Sequence, residues 1–583
     1  MHYDIALLDL TRFPDANGNY GRRPLSYKIL SAYISQFGYL AGVCTGALAS
    51  LPELLSRLLT HHTVTLFGFY CDYDNLTEVE SAIRYIKSHC TASVVVGGPQ
   101  CRALSSGFFH RTGCDVVVIG DGEISLRSLL DHYTKHSPEL QDIPGIMFTT
   151  PDGQCSTGEP DTVASLDDVP AVHRVHSLMG TTNTPDTLQL LTARGCPFHC
   201  SYCHEGGSLG IRYRSIPHVM DELRAEFRDR PGIKKVIFVD NTLTLNPSRI
   251  EELCDHMERL RATTDFVWAC ESHVHFLNQH ASAVSRMVAA GLVKLQIGIE
   301  TGSAKILRAY RKNITPAQII DAVVAARDAG LPFLKTNFII GGPHETWASI
   351  DESLALAKAL VDIAPGRIEI SSNYLAPYPC TDIARDPASV GLRILDEQSL
   401  TCFESMTYPV VETATLSKKD LIRARRYFDD ALLSHMRERA ASLAYPAIAK
   451  IFQYYYRYHL NSPWVDVFRE NREVAAFFER VSLDGARPSY EFCSEALVDL
   501  RPVRTIDLEE VDEDEMGPSY HGARLDPIEL TFLEYATGKL SNRDIWAVLR
   551  SKDLVAGEST DDFRLQEMLG KFIQRFWLAF VEW

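Results

Sequence analysis

Residues 193–207 read ARGCPFHCSYCHEGG and place Cys196, Cys200 and Cys203 within eight positions. The other eleven of the fourteen cysteines are scattered singly, so this trio is where thiol chemistry is concentrated. Thiolates spaced i, i+4 and i+7 can wrap one metal centre from a loop or a helical turn. A structural zinc site takes four ligands, usually as two pairs, and the nearest further donors are His199 and His204. A four-iron four-sulfur cluster also takes four ligands, normally cysteines. Three cysteines alone leave one iron open, and an open iron is a place to bind a substrate. Isolated thiols such as Cys44, Cys90 and Cys254 are expected to be small buried apolar residues.

The elements that must position the trio are legible as two series of alternating strand and helix patterns. The first runs from 1 to about 140, with the apolar runs DIALLDL, TVTLFGFY, SVVVGGP and CDVVVIGDGE separated by stretches such as LTEVESAIRYIKSHC. Such alternation predicts a parallel, doubly wound sheet that takes ligands at the carboxyl ends of its strands. Glycines fall at those ends, Gly97 and Gly98 in one run and Gly120 and Gly122 in another. They predict tight strand-to-helix turns whose backbone a ligand can approach. Residues 141–186 are polar and turn-rich and read as a connector with a small hairpin.

The second series begins at TLQLLTARG and continues through KKVIFVDN, DFVWACES, VKLQIGIET, FLKTNFIIGGP and RIEISSNYL. Six strand-helix units over 187–390 predict a partial (β/α)6 barrel with its function at the strand C-termini. One carboxylate, Glu271 in WACESHVHF, lies at the end of the third of these strands and is expected to face the same cavity as the cysteines. Residues 391–583 read as a mainly α-helical cap, with an aromatic run IFQYYYRYHL, an acidic run DLEEVDEDEMGP expected to be a solvated linker, and two or three final helices before an apolar strand. The fold class is therefore α/β, with three parts joined by one connector.

Composition narrows the function. At 583 residues with 45% hydrophobic and 23% charged residues, the chain has the balance of a soluble globular protein of several domains. A net charge of -17 argues against nucleic acid as a partner, because phosphate binding needs a basic footprint. The start MHYDIALLDL lacks the form of a secretory signal, and no apolar run approaches the roughly 18–20 residues that span a bilayer. No membrane partner and a cytoplasmic location are expected.

CPFHCSYC has the form CxxxCxxC with an aromatic residue before the last cysteine, and it resembles the signature of radical S-adenosylmethionine (SAM) enzymes. GIRYRSIPHVMDEL, VIFVDNTLTLNPSR, VKLQIGIETGSAKILRAYRKN and NFIIGGPHET resemble the corresponding barrel segments. The 1–140 sheet, with VVVGGP and CDVVVIGDGE, is similar to the cobalamin-binding domain that precedes the barrel in the cobalamin-dependent branch, and the two likenesses together cover about residues 1–375. The end of the chain, 526–583, resembles small winged-helix modules that hold leader peptides.

The resemblance implies that Cys196, Cys200 and Cys203 ligate three irons, while SAM chelates the fourth through its amino and carboxylate groups. It sets Asp240, Asn241 and Thr242 beside the methionine moiety, Glu300 on the ribose hydroxyls, and the backbone of Gly341 and Gly342 against the adenine. The alternative role for each is that of a strand-end residue satisfying turn amides. Gly97, Gly98, Gly120, Gly122 and Glu123 would contact cobalamin. The loop DLTRFPDANGNYGRRPLSYK lacks Asp-x-His-x-x-Gly, so the lower face of cobalt would meet Tyr70, Cys71 or Asp72 instead. In the tryptophan 2-C-methyltransferases of thiopeptide biosynthesis a glutamate in the region of Glu271 ligates the open iron; the alternative is a role in SAM or substrate binding.

The implied activity is C-methylation of a small-molecule or peptide natural-product precursor, tryptophan among them, with SAM, methylcobalamin and an external electron donor. The rivals are a non-methylating radical SAM rearrangement or cyclisation, and a non-catalytic iron-sulfur or zinc regulator. The methylthiotransferase branch fits less well, because Cys44, Cys71, Cys90, Cys101 and Cys114 are too dispersed along the chain for a second cysteine trio.

Overall fold

The structure is a computed structural model that describes the chain except residues 12–24, 73–74, 172–175, 180–185, 206–209, 396–407, 472, 476, 479–498, 515–516, 556–562 and 582–583. Most of the loop that lacks Asp-x-His-x-x-Gly therefore lies outside the described residues. Two compact units form: Met1–Ala357 with Ile370–Ala431, and Lys358–Glu369 with Leu432–Trp583.

The first series builds β1 (His2–Thr11), α1 (Leu25–Ser35), β2 (Ala41–Ala47), α2 (Leu51–His61), β3 (Thr63–Tyr70), α3 (Leu76–His89), β4 (Ser93–Gly97), α4 (Pro99–Thr112), β5 (Val116–Val118) and α5 (Glu123–Lys135). The five strands are parallel and stand in the order β5-β4-β3-β1-β2. In a doubly wound sheet of this order the crevice opens between β1 and β3, where the strand order reverses. Helices on both faces explain why β1 and β4 are largely apolar runs rather than alternating ones, since strands covered on both sides bury side chains of both faces. The residues read as a connector contribute more than a hairpin. β6 (Ile146–Thr150) and β7 (Gly153–Ser156) extend the sheet antiparallel beyond β5, and β8 (His176–Met179) pairs in parallel with β2.

The second series builds β9 (Thr187–Leu190), the short antiparallel pair β10 (Ala193–Arg194) and β11 (Arg212–Tyr213), α6 (Ile216–Asp229), β12 (Lys235–Phe238), α7 (Pro247–Arg261), β13 (Val267–Ser272), α8 (Val274–Gln279), α9 (Ala281–Ala289), β14 (Leu292–Glu300), α10 (Ala304–Ala309), α11 (Pro316–Asp328), β15 (Phe333–Ile340), α12 (Trp347–Ile363) and β16 (Ile368–Tyr374). The six long strands form one sheet in the order β16-β15-β14-β13-β12-β9, each at its expected place. Three barrel helices begin the same way. Ser215, Asn246 and Thr315 each accept a backbone N–H with the side-chain oxygen, and a proline follows within two residues. The cap satisfies an orphan amide and the proline presets the first turn. Along β14, Leu295, Ile297 and Ile299 are buried against the helices, whereas Lys294, Gln296 and Gly298 face the other way, into the barrel.

In the second unit the aromatic run lies on helix Tyr445–Tyr458. Phe452 is fully buried and stacks on Phe478 at 3.8 Å, which is the packing of a core side chain. Helices Pro527–Tyr535, Asn542–Ser551 and Phe563–Gln574 follow, and strand Leu578–Val581 returns to pair antiparallel with Arg501–Arg504. The acidic run is not a plain linker. Asp512–Asp514 forms an edge strand paired with Gly517–Tyr520, and Arg524 holds Asp514 through two 2.6 Å hydrogen bonds. Within the described residues, no helix is long and apolar enough to cross a membrane.

Candidate functional site

The cysteine loop is an excursion between β10 and β11, and its shape is imposed by its base. Gly195 has φ +98°, and a Cβ there would lie 2.4 Å from the Gly210 carbonyl oxygen across the hairpin. Ser201 ties the loop to the end of α10 through N–H to the Tyr310 carbonyl (3.0 Å) and Oγ to the Ala309 carbonyl (2.9 Å). Phe198 stacks on His273 with ring centroids 4.0 Å apart, which fastens the loop to the end of β13. The three thiols are half-buried; burial raises the pKa of Cys200 and pushes Cys203 up to about 11, with the neighbouring thiols of the trio adding to both. Yet among the described residues no three His, Cys, Asp or Glu side chains converge on one point as a single ion requires. Three thiols carried on one short loop suit a cluster, which spreads its ligands over separate irons.

Beside the loop lies a buried ion pair. Glu300 ends β14 with φ +71°, a backbone conformation that costs a non-glycine residue about 1–3 kcal/mol and collects at functional sites. Its Oε1 accepts from Lys312 Nζ and from the Tyr202 hydroxyl, both at 2.8 Å. Glu300 and Lys312 are each 7% exposed. Gly298 makes room for the pair, since a Cβ there would sit within about 2.5 Å of Lys312 Nζ. Burial alone would lower the Lys312 ammonium, but Glu300 and Cys200 raise it overall, and in return Lys312 pulls the Cys200 thiol down against its own burial. The second oxygen of Glu300 accepts no hydrogen bond among the described residues and is the one left for a ligand hydroxyl.

The other expected contacts divide. Asp240 is buried, and both its oxygens accept from Thr192, from the amide at 2.6 Å and from the hydroxyl at 2.5 Å. That is the strand-end role, closing β9 onto β12. Thr242 is buried and donates to the Asn241 carbonyl, while Asn241 is exposed and reaches Glu205 at 3.3 Å. The amides of Gly341 and Gly342 both donate to Oε2 of Glu345, a wholly buried carboxyl. Glu271 is exposed at the end of β13 and accepts from Gln296 Nε2 at 3.1 Å. The barrel walls still desolvate it enough to push its carboxyl up, with Lys335 working in the opposite direction.

A cavity of about 930 Å³ joins the two sheets. Its walls are the carboxyl ends of β3, β4 and β5, including Tyr70, Asp72, Gly97, Gly98 and the 120–123 turn, together with Gly195, His204 and Glu205 of the cysteine loop and Asn241. The volume is at the upper end of the roughly 300–1,000 Å³ typical of ligand pockets. Gly98 is what brings the β3 end against the β4 turn: its φ is +113°, and a Cβ would stand 2.4 Å from the Cys71 carbonyl oxygen. Cys71 itself does not line the cavity. It is buried in a core that also holds Cys101 and Cys114, thiols that fold together despite their separation in sequence and that burial keeps protonated. Glu123 lies at the cavity wall but is engaged by Arg194 Nη2, while Asp121 takes Arg194 Nη1 at 2.9 Å and Arg212 Nη2 at 2.6 Å. Both arginines belong to the ribbon that carries the cysteine loop.

The signature of the radical SAM superfamily matches residues 190–357. The chain carries a radical SAM domain. It is 32% identical over 295 residues to an uncharacterized methyltransferase of Pyrococcus horikoshii, covering 49% of this chain and 61% of that one, so the chain spans less than two thirds of that relative. Among solved structures the fold is similar to OxsB, a cobalamin-dependent SAM radical enzyme solved with aqua-cobalamin and SAM, at TM-score 0.59 and 16% identity over 99% of this chain and 84% of that one. It is also similar to TsrM of Kitasatospora setae, a radical SAM methyltransferase solved with cobalamin and a [4Fe-4S] cluster, at TM-score 0.55 and 18% identity over 67% and 77%.

Three residues of the radical SAM domain were not singled out in the sequence: Lys312, Glu345 and His273. Glu345 had a readable signal, an acid three residues after a glycine pair at a strand end. Burial lifts its pKa from 4.5 to about 8 against the pull of the two glycine amides. The folded state therefore keeps a proton that the unfolded chain releases between these values, and stability falls as pH rises from 4.5 to 8, by up to about 5 kcal/mol. Glu345→Gln keeps an acceptor for both amides and cannot ionise. Calorimetry is expected to show matching melting temperatures for variant and wild type at about pH 5 and a higher one for the variant at about pH 8.

Proposed function

We propose that the chain is a cobalamin-dependent radical SAM C-methyltransferase that acts on a carbon of a small-molecule or peptide precursor, an amino acid such as tryptophan among the acceptors. The observation that carries this reading is the single cavity shared by the strand ends of the first sheet and the cysteine loop. A corrinoid in it would lie against Gly97, Gly98, Gly120 and Gly122, over Tyr70 and Asp72, and within reach of whatever the loop binds. The relatives support the same pairing of groups, since OxsB was solved with a corrinoid and SAM and TsrM with a corrinoid and a cluster.

When bound, the cluster with SAM supplies one-electron chemistry, the corrinoid supplies a transferable methyl group, and an external donor supplies the electron. The chain's own part is positioning and exclusion of water. Cys196, Cys200 and Cys203 would hold the cluster. The free oxygen of Glu300 would accept from the ribose, with its other oxygen fixed by Lys312 and Tyr202 so that the carboxylate cannot turn. Asn241 faces the cavity from the end of β12 and would meet the polar end of SAM, while Asp240 and Thr242 shape that strand end. The turn made by Gly341 and Gly342, locked by Glu345, would receive the adenine edge. Glu271 opens into the barrel on the substrate side.

The test is anaerobic reconstitution of the full chain with iron, sulfide, hydroxocobalamin and methyl-labelled SAM, followed by mass spectrometry. S-adenosylhomocysteine together with 5'-deoxyadenosine and label on an acceptor carbon is the expected result. Deoxyadenosine without label transfer would replace the reading with a non-methylating rearrangement, and zinc without sulfide would end it.

A further inference from the structure

The barrel interior carries a row of polar side chains of which only Glu271 has so far been given a place. Glu271 on β13 stands in register with Gln296 on β14, and Gln296 with Lys335 on β15. Three adjacent strands thus offer a carboxylate, a carboxamide and an ammonium at one level. Alternation of burial confirms the shared face: Cys270, Leu295, Ile297, Leu334 and Thr336 are buried toward the helices, whereas Gln296 and Lys335 are half-buried and Glu271 exposed. One step toward the strand N-termini the same register gives Ala269, Lys294 and Phe333, with the Lys294 ammonium 5.6 Å from the Phe333 ring centre.

The row is poised but unspent. The Gln296 amide donates to Glu271 Oε1 at 3.1 Å, and the other oxygen of Glu271 accepts nothing among the described residues. Lys335 donates no hydrogen bond among the described residues. Its charge bears on Glu271, yet the two form no ion pair. With neighbouring strands about 4.8 Å apart, their backbones stand roughly 10 Å from each other, which leaves room for a small dipolar group between the two charged tips. An anion would satisfy only Lys335 and a cation only Glu271. An uncharged ligand would desolvate both charges without pairing either, a cost that binding sites avoid.

We propose that Glu271, Gln296 and Lys335 bind the head group of a free α-amino acid, its ammonium on Glu271 and its carboxylate on Lys335 and the Gln296 amide. The proposal rests on the reading above only in taking the barrel interior as the place of reaction, and it assigns Glu271 to the substrate rather than to iron. Charge-assisted hydrogen bonds at both ends would fix the acid's orientation and leave its side chain to be aimed at the cavity.

The probes are the twenty genetically encoded L-amino acids, offered to the full chain before and after cluster assembly and followed by ligand-observed NMR. At least one is expected to bind saturably, and its N-acetyl derivative and its methyl ester are each expected to bind at least about tenfold more weakly. Lys335→Met should weaken the free acid by a similar factor without weakening the ester further, and Lys335→Arg should recover part of the loss. Binding of none of the twenty in either form of the protein overturns the inference, as does an ester that binds as well as its acid. Failure to assemble a cluster with amino-acid binding intact overturns the methyltransferase reading and leaves this one standing.

Discussion

Cys200→Ala protein is expected to leave anaerobic reconstitution with no four-iron cluster and to release no 5'-deoxyadenosine from SAM. The expected loss is total because the loop offers three thiols for three irons, and the nearby His199 and His204 replace thiolate poorly at a cluster that prefers sulfur. Stability should stay within about 1 kcal/mol of wild type, because Cys200 is half-buried and the loop is anchored through Ser201, Phe198 and Gly195 rather than through the thiol. Iron and sulfide analysis separates the outcomes. A variant that still binds four irons and four sulfides would remove Cys200 from the ligand set, and a wild-type chain that takes zinc alone would remove the cluster altogether.

Lys312→Met is expected to cost roughly 3–5 kcal/mol, because it strands the Glu300 carboxylate in a buried site with only the Tyr202 hydroxyl as partner. Guanidinium unfolding followed by fluorescence would measure it. The double variant Lys312→Met/Glu300→Gln should recover much of the loss, since it removes the uncompensated charge rather than half of a pair. If the single variant is as stable as wild type, the pair is not buried in the way described. SAM affinity tests the proposed ribose contact separately: in Glu300→Gln the one oxygen stays on Lys312 and the NH2 can still donate to a ribose oxygen, so this variant should weaken SAM less than Glu300→Leu.

What was legible in the sequence was whatever depends on spacing along the chain. The trio at 196, 200 and 203 and the six strands of the second series are local patterns, and each stands where the pattern puts it. The paired role of Lys312 was not legible. In ILRAYRKN it reads as one more solvated base, and only the chain's return after α10 buries it against Glu300. Asp240 shows the reverse case, in which the strand-end alternative is the contact seen. A carboxylate at a strand end looks like a ligand contact, but both its oxygens close onto Thr192, forty-eight residues away. Cys71, Cys101 and Cys114 are dispersed along the chain, yet the sheet folds them into one core. Pairings set by tertiary packing leave no trace in the spacing of residue types.

The ribbon formed by β10 and β11 carries one further consequence. Arg194 and Arg212 leave the barrel half of the chain to meet Asp121 and Glu123 of the first sheet, so the cysteine loop is moored to acids that the barrel does not own. The barrel is therefore not a portable module. Grafted onto a different leading domain, it would leave Arg194 and Arg212 without these acids unless the host supplied a matching pair at the same turn.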